Sequence, residues 1–206
     1  LRLATGKAPS AAGVAALDAY LVTVIDHGMN ASTFAARVVA STGSDLRSCL
    51  VAGLGALKGP LHGGAPGPVL DMLDAIGTPE SARAWIEREL DADRRIMGMG
   101  HRIYRVRDPR ALVLERAIEK LPSSPRLALA RAVEKEAEQA LGKRHPERPL
   151  KANVEFFTAV LLDAIGIDRS LFSAIFACAR VVGWCAHVGE QRQVGRLIRP
   201  SSRFVR

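Results

Sequence analysis

The 206-residue chain is long enough to bury a core and form one domain, or one and a half. Aromatic residues make up only 5% of the sequence, and alanine, leucine and valine dominate, which favours helices over a β-sandwich. The net charge of +8 suits small polyanionic substrates, an anionic membrane surface or nucleic acid. We expect no nucleic-acid partner, because the arginines are scattered over many predicted helices and no recognition motif accompanies them.

The best candidate for a membrane span, 171–187, is shorter than the roughly 18 to 20 residues that a bilayer requires, and Arg180 interrupts it. We therefore expect no membrane partner. No basic segment followed by an apolar stretch opens the chain, so the expected location is the cytoplasm. The cysteines, Cys49, Cys178 and Cys185, lie in apolar runs, which predicts buried thiols in a reducing compartment. No cysteine–histidine cluster has metal-ligand spacing, so no metal is expected.

Helix signals recur along the whole chain and predict an all-α fold. The predicted helices cover 10–26, 32–41, 44–57, 67–76, 79–92, 109–121, 125–141, 152–165 and 170–191. The predicted N-caps, each followed by a proline, are Thr78, Asp108 and Ser124. Glycines expected to end helices are Gly43, Gly77, Gly142 and Gly166. Residues 1–6 read like the end of an earlier helix, so we expect a further N-terminal part.

Three segments place proton-handling side chains among glycines, prolines or polar residues: 59–64 with His62, 98–110 with His101, and 151–155 with Glu155. Two histidines and a carboxylate are the groups that remove a proton from carbon and stabilise the resulting enolate. Each also has a plain structural explanation. His62 can be a loop histidine bonded to backbone, His101 part of a solvated basic loop, and Glu155 an acid favoured by a helix N-terminus.

Several arginines and one more histidine add an anion-binding pattern. Arg180 lies in an otherwise apolar helix, where it needs either a buried acid such as Glu155 or a substrate carboxylate. Arginines close to His101 are typical of carboxylate or phosphate binding. His27 is followed by glycine and precedes a capped helix. His145 and His187 lack such surroundings and are interpreted as a surface residue and a helix-packing residue.

Six motifs, in this order, resemble those of the citrate synthase family. They are Asp26-His27-Gly28-Met29-Asn30-Ala31-Ser32-Thr33-Phe34, Gly59-Pro60-Leu61-His62-Gly63-Gly64, Gly100-His101-Arg102-Ile103-Tyr104 through Asp108-Pro109-Arg110, Ala152-Asn153-Val154-Glu155, Arg180-Val181-Val182-Gly183-Trp184 and Arg199-Pro200. The resemblance runs from Leu3 to Arg206 and is greatest to the bacterial short-chain branch. Family members are nearly twice this long, so the chain resembles their C-terminal portion.

The resemblance implies a citrate synthase-like helical homodimer in which a small domain closes over the substrates. By this analogy 1–65 is part of the large domain, 66–165 the small mobile domain, and 166–206 the C-terminal helix and tail of the large domain. It also implies the reaction of the tricarboxylic acid cycle, in which acetyl-CoA condenses with oxaloacetate and citryl-CoA is hydrolysed to citrate and CoA. That chemistry requires no cofactor, with acetyl-CoA as a substrate.

The family's functional residues carry over motif by motif. Glu155 stands where the family has its base, His62 would hydrogen-bond the thioester oxygen, and His101 would polarise the ketone of oxaloacetate. The residues that resemble ligands of the oxaloacetate carboxylates are His27, Arg110, Arg180 and Arg199, the last lent by a neighbouring subunit. Those expected to face CoA phosphates are Arg105 and Arg148.

Glu155 departs from the family, which usually has aspartate there. The extra methylene moves the carboxylate by roughly an ångström, and such a displacement can lower a rate about 100-fold. Together with the short chain, this predicts weak or no activity of the isolated 206 residues. Three functions stay open: citrate synthase, 2-methylcitrate synthase acting on propionyl-CoA, and a non-catalytic protein that keeps the fold. One methylene in an acyl pocket discriminates by only about 1 to 3 kcal/mol, so the sequence does not separate the first two.

Overall fold

The structure, a computed structural model, describes residues 1–59, 62–64, 66–101, 106–122 and 124–204. In these ranges the chain is helical, and a single isolated antiparallel bridge joins Met99 and Ala152. The α-helices are α1 Arg2–Thr5, α2 Ala11–Thr23, α3 Ala31–Ser41, α4 Leu46–Leu57, α5 Pro66–Ile76, α6 Ala82–Asp91, α7 Pro109–Glu119, α8 Pro125–Arg144, α9 Val154–Ala164 and α10 Phe172–Val194. Short 3-10 turns at Pro79–Ser81 and Arg169–Leu171 precede α6 and α10. The all-α prediction is confirmed.

Short polar side chains set several of the helix starts. Asn30 accepts a hydrogen bond from the backbone N–H of Thr33 at the start of α3, and Asn153 accepts one from Phe156 at the start of α9. Asp108 caps α7 by accepting from the N–H of Arg110, as predicted. Ser124 stands before α8 without making a side-chain cap, and Thr78 likewise makes none. The proline after each of these two therefore marks the helix start better than the hydroxyl does.

The glycine stops were predicted correctly at three of four positions. Gly43, Gly77 and Gly166 have positive φ angles of 81°, 76° and 80° just beyond a helix. Gly142 was predicted wrongly, because α8 continues through it to Arg144. No atom of the described residues lies within 4 Å of a Cβ built on Gly142. The exposed glycine therefore lowers the propensity of α8 without ending the helix.

Helix α9 is the most buried element of the structure. Eight consecutive or near-consecutive residues are inaccessible: Val154 and 156–162. It packs against α5, α7, α8 and α2, while α10 packs against α3, α4 and α2. Helix α2 thus contacts both groups of helices, because it also lies on α7. The division into domains 1–65, 66–165 and 166–206 stays a prediction.

Helix α10 and the turn before it are longer than the sequence suggested. The segment 169–194 is long and apolar enough, by composition alone, to cross a membrane. One of its faces carries Arg180, Trp184 and Val188, each no more than 2% exposed, which pack inside the protein. That packing accounts for the apolar residues on this face of the helix.

The prediction of three buried thiols is wrong for the two cysteines of α10. Cys49 on α4 is fully buried, whereas Cys178 is exposed and Cys185 partly exposed, and all three are free. Other apolar side chains are exposed on these helices and on α3, among them Phe34, Leu54 and Val182 at 46%, 46% and 53%. When a helix is apolar on every face, its sequence does not indicate which side will face outward. The exposure of Cys178 therefore could not be deduced from its neighbours.

Two glycines of α10 make a matched pair for testing how tightly this helix is packed. A Cβ at Gly183 would lie 2.4 Å from the carbonyl oxygen of Ile25, a contact that backbone must move to relieve. A Cβ at Gly189 would have open space, with no neighbour within 4 Å in the part of the chain that the structure describes. We expect Gly183→Ala to destabilise the protein by about 1 to 3 kcal/mol. Gly189→Ala should stabilise it by up to about 1 kcal/mol. Urea unfolding of both variants measures this, and equal shifts would contradict the described approach of α10 to Ile25.

Candidate active site

The loop between α2 and α3 presents His27. Asp26 accepts a hydrogen bond from the N–H of Gly28 at 2.9 Å, and Gly28 takes a φ of 59°. This tight turn leads into the Asn30 cap of α3 and leaves His27 half-buried. The His27 ring stands edge-on to the His101 ring, with 5.3 Å between centroids. Two histidines that are 74 positions apart in sequence therefore share one site.

His101 follows a backbone segment that lies directly against the start of α9. The N–H of Gly100 donates to the carbonyl of Lys151 at 2.7 Å, and the N–H of Asn153 donates to the carbonyl of Gly98 at 2.9 Å. The Asn153 side chain adds a bond to the carbonyl of Gly100 at 3.0 Å. These contacts join the segment before His101 to the segment before Glu155.

Only glycine fits this approach. Gly98 and Gly100 have φ angles of 75° and 89°, in the left-handed region. A Cβ at Gly98 would lie 2.8 Å from the Phe156 ring, and one at Gly100 would lie 2.8 Å from Leu150. Gly98 and Gly100 are thus required by packing against the segment before Glu155 as well as by the turn.

His62 is held by a polar group at the start of α3. Its Nε2 lies 2.9 Å from the hydroxyl of Ser32, which also accepts a hydrogen bond from Trp184 Nε1 at 3.2 Å. Ser32 is fully buried. Its single proton can go either to His62 Nε2 or to the Asn30 side-chain oxygen 2.8 Å away. His62 is therefore bonded to a side chain, and the sequence pattern gave no signal for Ser32 or Trp184 as its partners.

Arg180 is 2% exposed, and its Nε donates to the carbonyl of Val24 at 2.9 Å. The guanidinium stacks on the Phe176 ring at 4.7 Å. Among the described residues no carboxylate forms an ion pair with it within 4 Å, so the first of the two alternatives, a pair with Glu155, is not formed. Burial lowers the pKa of Arg180, and Asp26 opposes the shift. The remaining guanidinium N–H groups can receive an anion.

Arg110 is positioned by an acid that sequence reasoning treated only as a cap. Asp108 is 1% exposed and holds the Arg110 guanidinium through two hydrogen bonds of 3.0 and 2.7 Å. Burial alone would raise the pKa of Asp108, but the bonds to Arg110 outweigh it and the pKa is lowered. Asp108 thus caps α7 and fixes the direction of Arg110 at the same time.

Glu155 is partly accessible and lies on the first turn of α9. Burial of the carboxyl raises its pKa, although the positive charges of Arg110 and Arg180 act against the shift. Tyr20 on α2 is 1% exposed, and burial followed by the charge of Glu155 raises the pKa of its phenol. The charge of Glu155 thus acts on Tyr20, an influence that an apolar stretch of α2 did not indicate. A carboxylate with a raised pKa is a stronger base.

The three site histidines are neutral at pH 7. Burial, then Arg110, His101 and Arg180, lower the pKa of His27 to about 4. The pKa of His62 is lowered by burial and Arg180, and that of His101 by burial and Arg110 against the opposing charge of Asp108. A neutral imidazole keeps one N–H and can donate it to an oxygen that becomes negative.

Beside His101 the structure has a basic cavity of about 600 Å³. The basic residues that line it with His101 are Arg94, Arg95, Arg144, His145 and Arg148. Arg148, predicted to face phosphates, is thus brought next to the site. The second predicted phosphate ligand, Arg105, lies outside the described residues.

Arg199 is not brought to the other site residues within this chain. It is exposed in the tail after α10, and the neighbouring Ile198 N–H donates to Ser41 Oγ at the C-terminal end of α3. His27 precedes the opposite end of that helix. A contribution of Arg199 to a second subunit stays a prediction.

His145 is exposed, as predicted, but His187 is more than a packing residue. Its Nε2 bonds Asp26 at 3.1 Å, and its Nδ1 lies 3.1 Å from the Arg37 guanidinium. These contacts join α10 and α3 to the turn that carries His27. Among the described residues no His, Cys, Asp and Glu cluster could hold a metal ion.

The sequence profile described as "Citrate synthase, C-terminal domain" matches residues 1–201. The chain belongs to the citrate synthase family. A putative citrate synthase 2 of Mycobacterium tuberculosis is 48% identical over 197 residues, which are 96% of this chain and 52% of that protein. A 2-methylcitrate synthase of Shewanella oneidensis is 40% identical over 205 residues, or 100% of this chain and 54% of the relative. The chain thus spans about half the length of these curated relatives.

Two solved structures match the fold and cover this chain almost completely. Citrate synthase of Thermoplasma acidophilum, in ternary complex with carboxymethyl coenzyme A and oxaloacetate, aligns with a TM-score of 0.86 at 32% identity over 97% of this chain and 54% of that chain. Citryl-CoA lyase of Hydrogenobacter thermophilus aligns with a TM-score of 0.81 at 28% identity, over 98% of this chain and 81% of that chain. The helical architecture is that of citrate synthases.

The lowered pKa of His27 makes folding stability depend on pH. Between the ordinary value of 6.5 and about 4, the unfolded chain binds a proton at His27 that the folded chain does not. The contribution of His27 to stability is therefore complete above pH 6.5 and is lost as the pH falls towards 4. His27→Gln cannot take up that proton. We expect the variant to lose less free energy of unfolding than the unsubstituted chain between pH 7.5 and 5.0.

Urea titrations at the two pH values measure this difference, which cancels the contributions of the other titrating groups. The same pH dependence in both proteins would contradict the lowered pKa of His27.

Proposed function

We propose that this chain carries the catalytic groups of a citrate synthase, which condenses acetyl-CoA with oxaloacetate and hydrolyses citryl-CoA to citrate and CoA. The observation that supports it most is the grouping of neutral histidines and a basic carboxylate around two arginines. His27 and His101 are 5.3 Å apart, and both are electrostatically coupled to Arg110. Glu155 is coupled to Arg110 and to the buried Arg180.

The arginines supply the site for a dicarboxylate. Arg180 keeps N–H groups that no described carboxylate satisfies, and Arg110 is aimed by Asp108. With His27, they would hold the two carboxylates of oxaloacetate by charge-assisted hydrogen bonds. Arg199 of a second subunit would complete this set, which requires a homodimer.

Proton transfers follow from the state of each group. The Glu155 carboxylate removes a proton from the methyl group of acetyl-CoA, and its raised pKa favours that transfer. When Ser32 donates a hydrogen bond to His62 Nε2, the hydrogen of the neutral imidazole is on Nδ1. His62 then donates a hydrogen bond from Nδ1–H to the thioester oxygen. The enol carbon then attacks the ketone carbon of oxaloacetate as the hydrogen that His62 shares with the thioester oxygen returns to Nδ1. His101 donates its N–H proton to the ketone oxygen and regains one from the protonated Glu155 through solvent, so that both groups return to their starting states. Water finally cleaves the thioester of citryl-CoA.

The cavity beside His101 suits the acyl-CoA. Four arginines and His145 surround about 600 Å³ that opens next to the proposed reacting carbons. Phosphates of CoA would bind these guanidiniums, including Arg148, and Arg105 stays a predicted member of this set. No separate cofactor is required. A soluble, cytoplasmic enzyme of the tricarboxylic acid cycle is the setting that this chemistry implies.

Two other reactions share these groups. The relative from Shewanella oneidensis favours a trial of propionyl-CoA as the acyl donor. The match with citryl-CoA lyase, which extends over 81% of that chain, favours cleavage of citryl-CoA into acetyl-CoA and oxaloacetate. This cleavage is the reverse of the carbon–carbon bond formation above and ends before any hydrolysis. A non-catalytic protein would bind oxaloacetate without releasing thiol.

Purified chain distinguishes these functions directly. Weak thiol release should appear with acetyl-CoA and oxaloacetate together, and should be slower still with propionyl-CoA. Cleavage of supplied citryl-CoA to oxaloacetate, without thiol release, would instead assign the lyase reaction. Calorimetric binding of oxaloacetate with neither reaction would assign a binding protein, and no binding at all would reject the proposal.

Variants test the residue assignments. His101→Ala should abolish turnover, whereas Gln193→Ala, at an exposed position of α10 far along the helix from Arg180, should leave it unchanged. Glu155→Asp should raise the rate, because it removes the extra methylene that displaces the carboxylate. Glu155→Gln should lose proton abstraction while keeping oxaloacetate affinity. Unchanged turnover in His101→Ala would refute the assigned role.

A further inference from the structure

The two segments that carry His101 and Glu155 form ion pairs with the same face of α8. Arg107 donates from Nε to one carboxylate oxygen of Glu134 at 2.6 Å and from Nη2 to the other at 3.0 Å. Lys151 donates to Glu138 at 2.7 Å. Glu134 and Glu138 are four residues apart, so they lie one above the other on the helix surface. We call these four residues the α8 anchor.

Arg107 also joins α8 to the helices that follow each segment. Its Nη2 donates to Glu115 of α7 at 2.8 Å. Its guanidinium carbon lies over the Phe157 ring of α9, 4.9 Å from the ring centroid. Phe157 is fully buried two residues after Glu155. One side chain therefore contacts the helix that begins at Asp108–Arg110 and the helix that carries the proposed base.

The backbone next to Arg107 completes the link. The N–H of Asp108 donates to the carbonyl of Ala152 at 3.1 Å, and the Asp108 side chain aims Arg110. Lys151 lies beside Ala152 and accepts the N–H of Gly100 through its carbonyl. Arg107 and Lys151 thus belong to, or stand next to, two of the three backbone hydrogen bonds that join the two segments.

We infer that Arg107 and Lys151 are positioning residues, which use Glu134 and Glu138 of α8 to set the distance between the Arg110 substrate-binding group and the Glu155 base. This inference rests on the proposed function, but neither residue is expected to touch a substrate. The pair with Glu134 is partly buried, at 29% and 12% side-chain exposure. Hydrogen bonds from Arg107 oppose the effect of burial on Glu134, whose pKa is nevertheless raised. A bidentate pair in that setting restricts orientation more than an exposed pair does.

A neighbouring arginine provides the matched control. Arg131 bonds Glu115 at 2.7 Å and also Glu119, and in the described part of the chain no ion pair joins it to Glu134 and no cation–π contact joins it to Phe157. Arg131→Met removes one charge and two ion pairs from the same region. Lys135→Met, at an exposed position of α8, is the control for Lys151→Met.

Amide hydrogen exchange tests the anchor without any ligand. Arg107→Met should accelerate amide exchange at Asp108 by on the order of tenfold, and Lys151→Met should do the same at Gly100. Each factor is the acceleration that remains after the change in global unfolding is taken into account. Arg131→Met and Lys135→Met should not change these amides. Because Arg107→Met leaves a buried carboxylate unpaired, the variant is also combined with Glu134→Gln, which removes that penalty and should keep the faster exchange.

Oxaloacetate affinity tests the effect on the site. In folded protein, Arg107→Met should weaken binding by roughly tenfold, and Arg107→Lys, which keeps the charge but loses the bidentate fork, by less. In an Arg110→Ala background the same substitution should add little, because it acts through Arg110.

Equal exchange rates and equal affinities in Arg107→Met and Arg131→Met would overturn the inference. Additive effects of Arg107→Met and Arg110→Ala would overturn the route through Arg110. If the unsubstituted chain bound no oxaloacetate, the proposed function would be rejected, while the exchange comparison would still decide whether α8 holds the two segments.

Discussion

The site depends on one close approach of backbone to backbone, in which the segment 98–100 lies against 151–153. Three hydrogen bonds of 2.7 to 3.0 Å hold it, and two glycines with positive φ make room for it. A side chain at either glycine would collide with Phe156 or Leu150. Since His101 follows the first segment and Glu155 the second, this contact sets the spacing of the proposed acid and base. The ion pairs to α8 reinforce the same contact from outside.

Electrostatics around this contact serve two opposite needs. Burial of Glu155 raises the pKa of the carboxyl, while nearby Arg110 and Arg180 keep its anion accessible. The same arginines, together with burial, keep the histidines neutral, as the low pKa of His27 shows. A site rich in guanidinium thus holds neutral imidazoles that can donate a proton and a carboxylate that can accept one. Asp108 is the counter-charge that prevents Arg110 from turning elsewhere.

Much of this organisation could be predicted from the sequence. Proline and polar caps, glycine stops and apolar periodicity located the helices to within a few residues, because those signals act over one turn of chain. The motifs around His27, His62, His101 and Glu155 indicated the family, and the sequence profile confirmed it. The same local reasoning failed at Gly142, because an exposed glycine only weakens a helix, and at Cys178, because an all-round apolar stretch of α10 hides its outward face.

The sequence by itself determined the all-α class, the family and which side chains could take part in the chemistry, since these follow from local propensity and from motifs. Only the tertiary structure decided their partners. Ser32 for His62 and α8 for Arg107 are contacts that depend on how helices pack, and so does the effect of the Glu155 charge on Tyr20. Such contacts are mostly long-range, and a guanidinium bonds whichever carbonyl or carboxylate the packed fold brings within reach. For that reason Arg180 bonds the carbonyl of Val24, leaving its other N–H groups for an anion.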